Sequence, residues 1–109
     1  MSQKILQINF HFSGVSMTEL KRAWLPGAQP IADTPGLQWK IWLMDETKNE
    51  VGGIYLFDDV DSMESYLNGP IVAGIKNDPT LSNVSLKPFD VMEEHTAITR
   101  GPVRAGIRV

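Results

Sequence analysis

The side chains best equipped for chemistry in this sequence are His11, Tyr55, and the indoles of Trp39 and Trp42 with Lys40 between them. Histidine titrates near neutral pH when unperturbed, so His11 is a candidate general base. A phenol such as Tyr55 can orient or protonate a substrate oxygen. An indole offers a flat apolar wall and one N–H donor. Asn9 shares a strand face with His11 and adds a hydrogen-bonding group. Each residue also has a plain structural role. Trp39 can be a core residue under helices, and Trp42, on the opposite face, an interface residue. Tyr55 can pack in a core with its hydroxyl satisfied. A lone strand histidine is more often structural or exposed. Lys40 reads first as half of an ion pair with Glu46 or Glu50, and second as a group that stabilises an anion. Glu93, Glu94 and His95 are consecutive, so a strand cannot turn all three toward one ion, and no metal site is expected.

The totals narrow the field. A chain of 109 residues, 42% hydrophobic, predicts one folded domain. The formal charge of −3 argues against nucleic acid, whose phosphates need a basic face. There is no cysteine, which excludes disulfides, thiolate metal sites and thiol nucleophiles. No hydrolase elbow, zincin motif or dinucleotide fingerprint is present. No signal peptide or spanning segment is read, so a cytoplasmic protein without a membrane partner is expected.

The elements that must position these residues follow from periodicity. Residues 4 to 12 alternate, with Leu6, Ile8, Phe10 and Phe12 on one face and Gln7, Asn9 and His11 on the other. Ser16 to Glu19 has the form of a capping box, which predicts a helix from Met17. Pro26, Gly27 and Pro30 disturb its second half. Residues 37 to 44 and 50 to 57 form a predicted hairpin around "DETKNE". Leu37, Trp39, Ile41 and Leu43 share one face of its first strand, and Lys40, Trp42 and Met44 the other. Gly52-Gly53 inside the second strand predicts a bulge or a close approach. A second helix follows, capped by an aspartate or Ser62 and ended or bent at Gly69-Pro70. The fourth strand, roughly residues 83 to 92, contains Pro88 and so belongs at an edge or carries a bulge. The last residues show no clear period. A folded domain over 1–94 and a tail over 95–109 are expected, with Arg100, Arg104 and Arg108 in that tail.

The order β-α-β-β-α-β predicts an α+β, ferredoxin-like fold, a four-stranded antiparallel sheet with two helices on one face. Two helices cover only that face. Strands two and three are apolar on both faces, so a second copy is expected against the other, forming a dimeric α+β barrel.

The stretch "PGLQWKIWLMDETKNEVGGIYLF" resembles the YdhR-like monooxygenases, through Pro35-Gly36, Trp39-Lys40, Trp42, Glu46, Glu50, Gly52-Gly53 and residues 54 to 57. "ILQINFHF" and Phe89 to Val91 are also similar, so the likeness spans about residues 4 to 93. The first helix, with its prolines, and the chain after Glu94 depart from the family pattern. The resemblance implies a homodimer and oxidation of a small aromatic or polycyclic phenol by O₂ with no cofactor. On that reading His11 and Tyr55 are catalytic candidates, and Asn9, Trp39 and Trp42 bind substrate. A non-catalytic carrier of an apolar or aromatic metabolite, a haem-handling barrel using His11 or His95, and a dimer with a filled cavity are the alternatives.

Overall fold

The computed structural model describes residues 2–103. Four strands, β1 (Lys4–Phe12), β2 (Leu37–Asp45), β3 (Glu50–Phe57) and β4 (Leu81–Asp90), form one sheet in the order β2-β3-β1-β4. Every pairing is antiparallel. The helices α1 (Met17–Trp24), α2 (Ala28–Ala32), α3 (Val60–Leu67) and α4 (Pro70–Asn77) lie in the two crossovers. This is the α+β, ferredoxin-like arrangement expected from the element order.

Local chemistry sets most boundaries. Glu19 donates its backbone N–H to the Ser16 hydroxyl at 3.1 Å, and the Ser16 N–H reaches the Glu19 carboxylate at 2.9 Å, so α1 begins at Met17 as predicted. Pro26 then converts the chain to a 3₁₀ turn over Leu25–Gly27 before α2 resumes, because a proline ring obstructs a continuous helix. Asp59 caps α3 by accepting from the Ser62 N–H at 2.8 Å. Gly69-Pro70 splits the second crossover into α3 and α4, with Pro70 at the start of α4, where its missing N–H costs nothing. Asn49, left-handed at φ 52°, closes the β2–β3 turn. Pro88 does sit on an edge strand, and β4 also carries a bulge beside Asn83, at φ 53°.

Leu6, Ile8, Phe10 and Phe12 face the helices and anchor two buried clusters. One gathers Leu6, Ile8, Ile31, Tyr55, Phe57, Met63, Tyr66 and Val72. The other gathers Phe10, Phe12, Met17, Leu20 and Val51.

The faces of β2 are a correction. Pairing of β2 with β3 shifts between Leu37 and Trp39. Leu37 pairs with Phe57 on the helix side, but Trp39 pairs with Leu56 on the outer side. One extra residue at Gln38 therefore inverts the expected assignment. Lys40, Trp42 and Met44 face the helices; Trp39, Ile41 and Leu43 do not.

The chain beyond β4 also differs from expectation. Residues Glu93–Ile98 form a short helix, α5. The segment then crosses from the β4 edge to β2, where the Trp39 Nε1–H donates to the Pro102 carbonyl at 2.8 Å. Leu56, on the same outer face, is 1% exposed. Arg100 is left-handed, at φ 67°, where the chain leaves α5; Arg104 and Arg108 lie outside the described residues.

Candidate functional site

A cavity of about 280 Å³ opens between the sheet and the helices, at the seam of the two buried clusters. Its sheet side is Ile8, Phe10, Lys40, Trp42, Gly53 and Tyr55. Its helix side includes Trp24, Ile31, Tyr66, Ile71 and Ile75. The lining is mostly apolar, with a few convergent polar groups, which is the usual make-up of a small-molecule site. The volume lies above the ~150 Å³ of an apolar cavity that holds benzene and near the low end, ~300 Å³, of drug-sized sites.

Register explains why the space exists. Gly53 pairs with Ile8 on one side and Trp42 on the other, facing the helices. A side chain there would fill the cavity floor: a Cβ on Gly53 would stand 2.5 Å from the Lys40 Cε. Gly52 points to the other face, where a Cβ would run into the Ile8 carbonyl. The pair of glycines therefore marks close approach, one of the two expected explanations.

The Lys40 ammonium lies over the Trp42 ring, 3.4 Å from its centroid, and 4.7 Å from the Tyr55 centroid. No carboxylate comes within ion-pair distance among the described residues, so the expected pairing with Glu46 or Glu50 is replaced by two aromatic faces. Burial pulls its pKa down to about 8.

Two phenols meet at the cavity's inner wall. The Tyr66 hydroxyl donates to the Tyr55 hydroxyl at 3.2 Å, and their rings are 5.1 Å apart. Phe57 stacks on Tyr55 at 6.1 Å. Burial, and then the neighbouring Tyr66, push the Tyr55 pKa far above the ordinary phenol value. Burial raises that of Tyr66 as well. Tyr55 is therefore a neutral hydrogen-bond donor, not a base. Either hydroxyl can rotate to donate to the other, so the pair uses one proton between them and keeps the second to offer a ligand oxygen. Trp24 and Trp42, 6.4 Å apart, form the outer wall, and an apolar groove of about 340 Å³ adjoins beyond them.

The five sequence candidates divide between the two sides of the sheet. Tyr55 and Trp42 line the cavity. Trp39, His11 and Asn9 do not. The indole N–H of Trp39, expected to serve a core or a ligand, is taken by Pro102. Asn9 accepts from the Gln7 side chain at 2.8 Å, and His11 lies 3.4 Å from the Asn83 amide, both on the outer face. His95 is on α5. Neither histidine lines the cavity, so it offers no imidazole to a haem iron. Among the described residues no three His, Cys, Asp or Glu side chains gather as a metal site. No helix among them is long and apolar enough to cross a membrane.

Trp24 and Tyr66, also in the lining, lie at helical spacing on the apolar stripes of α1 and α3, and the sequence alone marks them only as stripe residues. The 3.6-residue period that identifies a buried position does not distinguish one packed against atoms from one beside a void.

A family model described as "Putative mono-oxygenase ydhR" matches residues 5–102. No curated protein matches the chain. Solved structures with a similar fold include NE2512, a protein of unknown function from Nitrosomonas europaea, with 22% identity, TM-score 0.66 and coverage of 84% of this chain and 91% of that one. SnoaB, a cofactor-independent oxygenase from Streptomyces nogalater, shares 18% identity at TM-score 0.65, covering 84% and 94%. The heme-degrader MhuD from Mycobacterium tuberculosis shares 18% at TM-score 0.61, covering 81% and 95%.

Proposed function

The chain belongs to the ydhR mono-oxygenase family, and from that premise we propose that it oxidises a small aromatic or polycyclic phenol with O₂, without a prosthetic group. The observation that carries the reading is the aromatic cavity beneath the helices, with two phenols on its inner wall and an ammonium on its sheet side. The likeness in fold to a cofactor-independent oxygenase supports it.

In such a reaction the substrate is the reductant. A ring CH₂ conjugated across the ring to a carbonyl, as in an anthrone, loses a proton to the solvent before the site closes, leaving the charge on the oxygen of the enolate. The resulting anion passes one electron to O₂, and the radical pair joins as a peroxide. Loss of water leaves a quinone, so that one O₂ yields one new C=O and one H₂O. The protein's tasks are orientation, exclusion of water and stabilisation of charge. Trp24 and Trp42 offer the aromatic wall against which the ring lies. Tyr55 donates to the substrate oxygen on which charge develops. The adjoining groove lets a polycyclic ring extend past the two indoles.

A second copy of the chain completes the protein in this reading. Ile41 is 51% exposed on the outer face, with Leu43 and Ile54 beside it, and a partner sheet would cover all three. Sedimentation at micromolar concentration is expected to show dimers, and Ile41→Lys to shift them toward monomer. Monomeric wild-type protein would remove this part of the proposal.

Oxygen uptake with a panel of anthrones and hydroquinones tests the chemistry. The expected result is consumption of O₂ with formation of a quinone, reduced about 100-fold or more in Tyr55→Phe, the usual loss for a missing proton donor. Tight binding without O₂ consumption would overturn the enzymatic reading in favour of a carrier.

A further inference from the structure

Among the described residues Lys40 has no counter-ion. Its ammonium rests on the faces of Trp42 and Tyr55, and the lining carries one carboxylate, Asp78, among the described residues. Asp78 is already engaged by Thr80, whose hydroxyl and N–H donate to it at 2.7 and 2.9 Å. The other titratable groups facing the cavity are Tyr55 and Tyr66, both held neutral by burial. A cation in an apolar recess is costly unless paired, and aromatic faces compensate it only in part. Gly53 keeps the ammonium there, since any larger residue would push against its side chain. The cavity is therefore polarised, with a fixed positive charge beside a flat apolar slot.

We propose that this cavity binds its ligand as an aromatic oxyanion, an ionised phenol or enol, with Lys40 as the counter-charge. The ring lies against Trp42 and Trp24, and the oxygen meets the ammonium and the Tyr55 hydroxyl. This deepens the proposed function and rests on it in one respect, that the cavity takes a flat aromatic molecule at all. It adds the charge state of the ligand and names Lys40 as the specificity-determining residue. An anion paired with a desolvated ammonium forms a stronger hydrogen bond than a neutral phenol does. Binding thus selects acidic phenols over their ethers and hydrocarbon analogues.

The test uses 4-nitrophenol and its neutral isostere 4-nitroanisole with the full-length protein. Trp24 and Trp42 fluorescence reports binding of both, and the visible phenolate band reports ionisation of the first. Wild-type protein is expected to bind 4-nitrophenolate at least tenfold more tightly than 4-nitroanisole. The phenolate band is expected to persist to a lower pH when the probe is bound. Lys40→Arg should retain the preference; Lys40→Met should abolish it while leaving 4-nitroanisole affinity within about twofold. Equal binding of the two probes by the wild type would overturn the proposal and leave the aromatic cavity standing. So would a preference that survives Lys40→Met. Binding of neither probe would overturn both readings together. The band shift in wild-type protein needs no variant, so it decides the matter even if Lys40→Met fails to fold.

Discussion

Both faces of the β2–β3 hairpin carry apolar and aromatic side chains, yet they have different fates. On the helix side, Trp42, Lys40, Tyr55 and Phe57 are joined by Tyr66 and Trp24, and Gly53 withholds a side chain where one would fill the space. On the outer side, the Trp39 indole is tied to the C-terminal segment through Pro102 and Leu56 is buried, while Ile41 stands half exposed at the far end. One face is organised around a void and the other around a cover. Each face has one of the paired glycines; what sets the helix side apart is the ammonium that rests on aromatic rings beside Gly53.

The largest effect that can break this contrast is packing. Phe57 is fully buried against Tyr55 and Tyr66, so Phe57→Ala is expected to lower unfolding free energy by about 3–5 kcal/mol. Ile41→Ala, half exposed on the other face, should cost under about 1 kcal/mol in the isolated chain. Chemical denaturation measures both, and equal losses would mean that the two faces are not differently packed.

Charge gives the next largest effect. The folded-state pKa of Lys40, about 8, lies below its unfolded value of 10.5, so the unfolded chain holds more protons between those values. Stability should therefore rise with pH as it passes through about 8, by roughly 1–3 kcal/mol after allowing for the aromatic contacts. Tyr55 and Tyr66 act in the opposite sense. Their pKa values are raised in the fold, so their contribution is present below the ordinary phenol pKa of 10.0 and is lost above it. Wild-type denaturation midpoints at pH 7, 9 and 11 are expected to rise and then fall. Lys40→Met should keep only the fall. A rise that persists in Lys40→Met would show that another group is responsible.

The smallest effect sharpens the comparison of the tryptophans. Trp39→Phe removes one hydrogen bond to the Pro102 carbonyl and should cost about 1 kcal/mol, with aromatic-ligand affinity unchanged. Trp42→Phe should do the reverse, weakening the ligand with little effect on stability. Paired denaturation and fluorescence titrations would show whether the indoles have exchanged the roles that strand alternation first suggested.

Much of the scaffold was legible in the residues. The capping box at Ser16 placed the start of α1, and the 4 to 12 alternation placed the core face of β1, because both signals are local. Gly52-Gly53 announced a close approach, and Pro88 an edge strand. The candidate site was legible only in part. Alternation shows that Trp39 and Trp42 lie on opposite faces, but not which face meets the helices. That depended on one extra residue at Gln38, and such a slip changes no residue's propensity while reversing every side chain after it. The role of Lys40 was obscured for a related reason. Glu46 and Glu50 are near in sequence, but neither reaches it across the folded hairpin, and the aromatic faces that do reach it come from its own strand and the next.

By itself, the sequence determined a single ferredoxin-like sheet with helices on one face. Period, caps and turn residues act over a few positions and leave little choice of element or order. Only the tertiary structure decided where the cavity lies and which aromatic residues face it. It also decided that the chain after β4 returns to cover Trp39. Those outcomes depend on register and on contacts between residues tens of positions apart, where the deciding quantity is the space left between packed surfaces rather than the preference of any one residue.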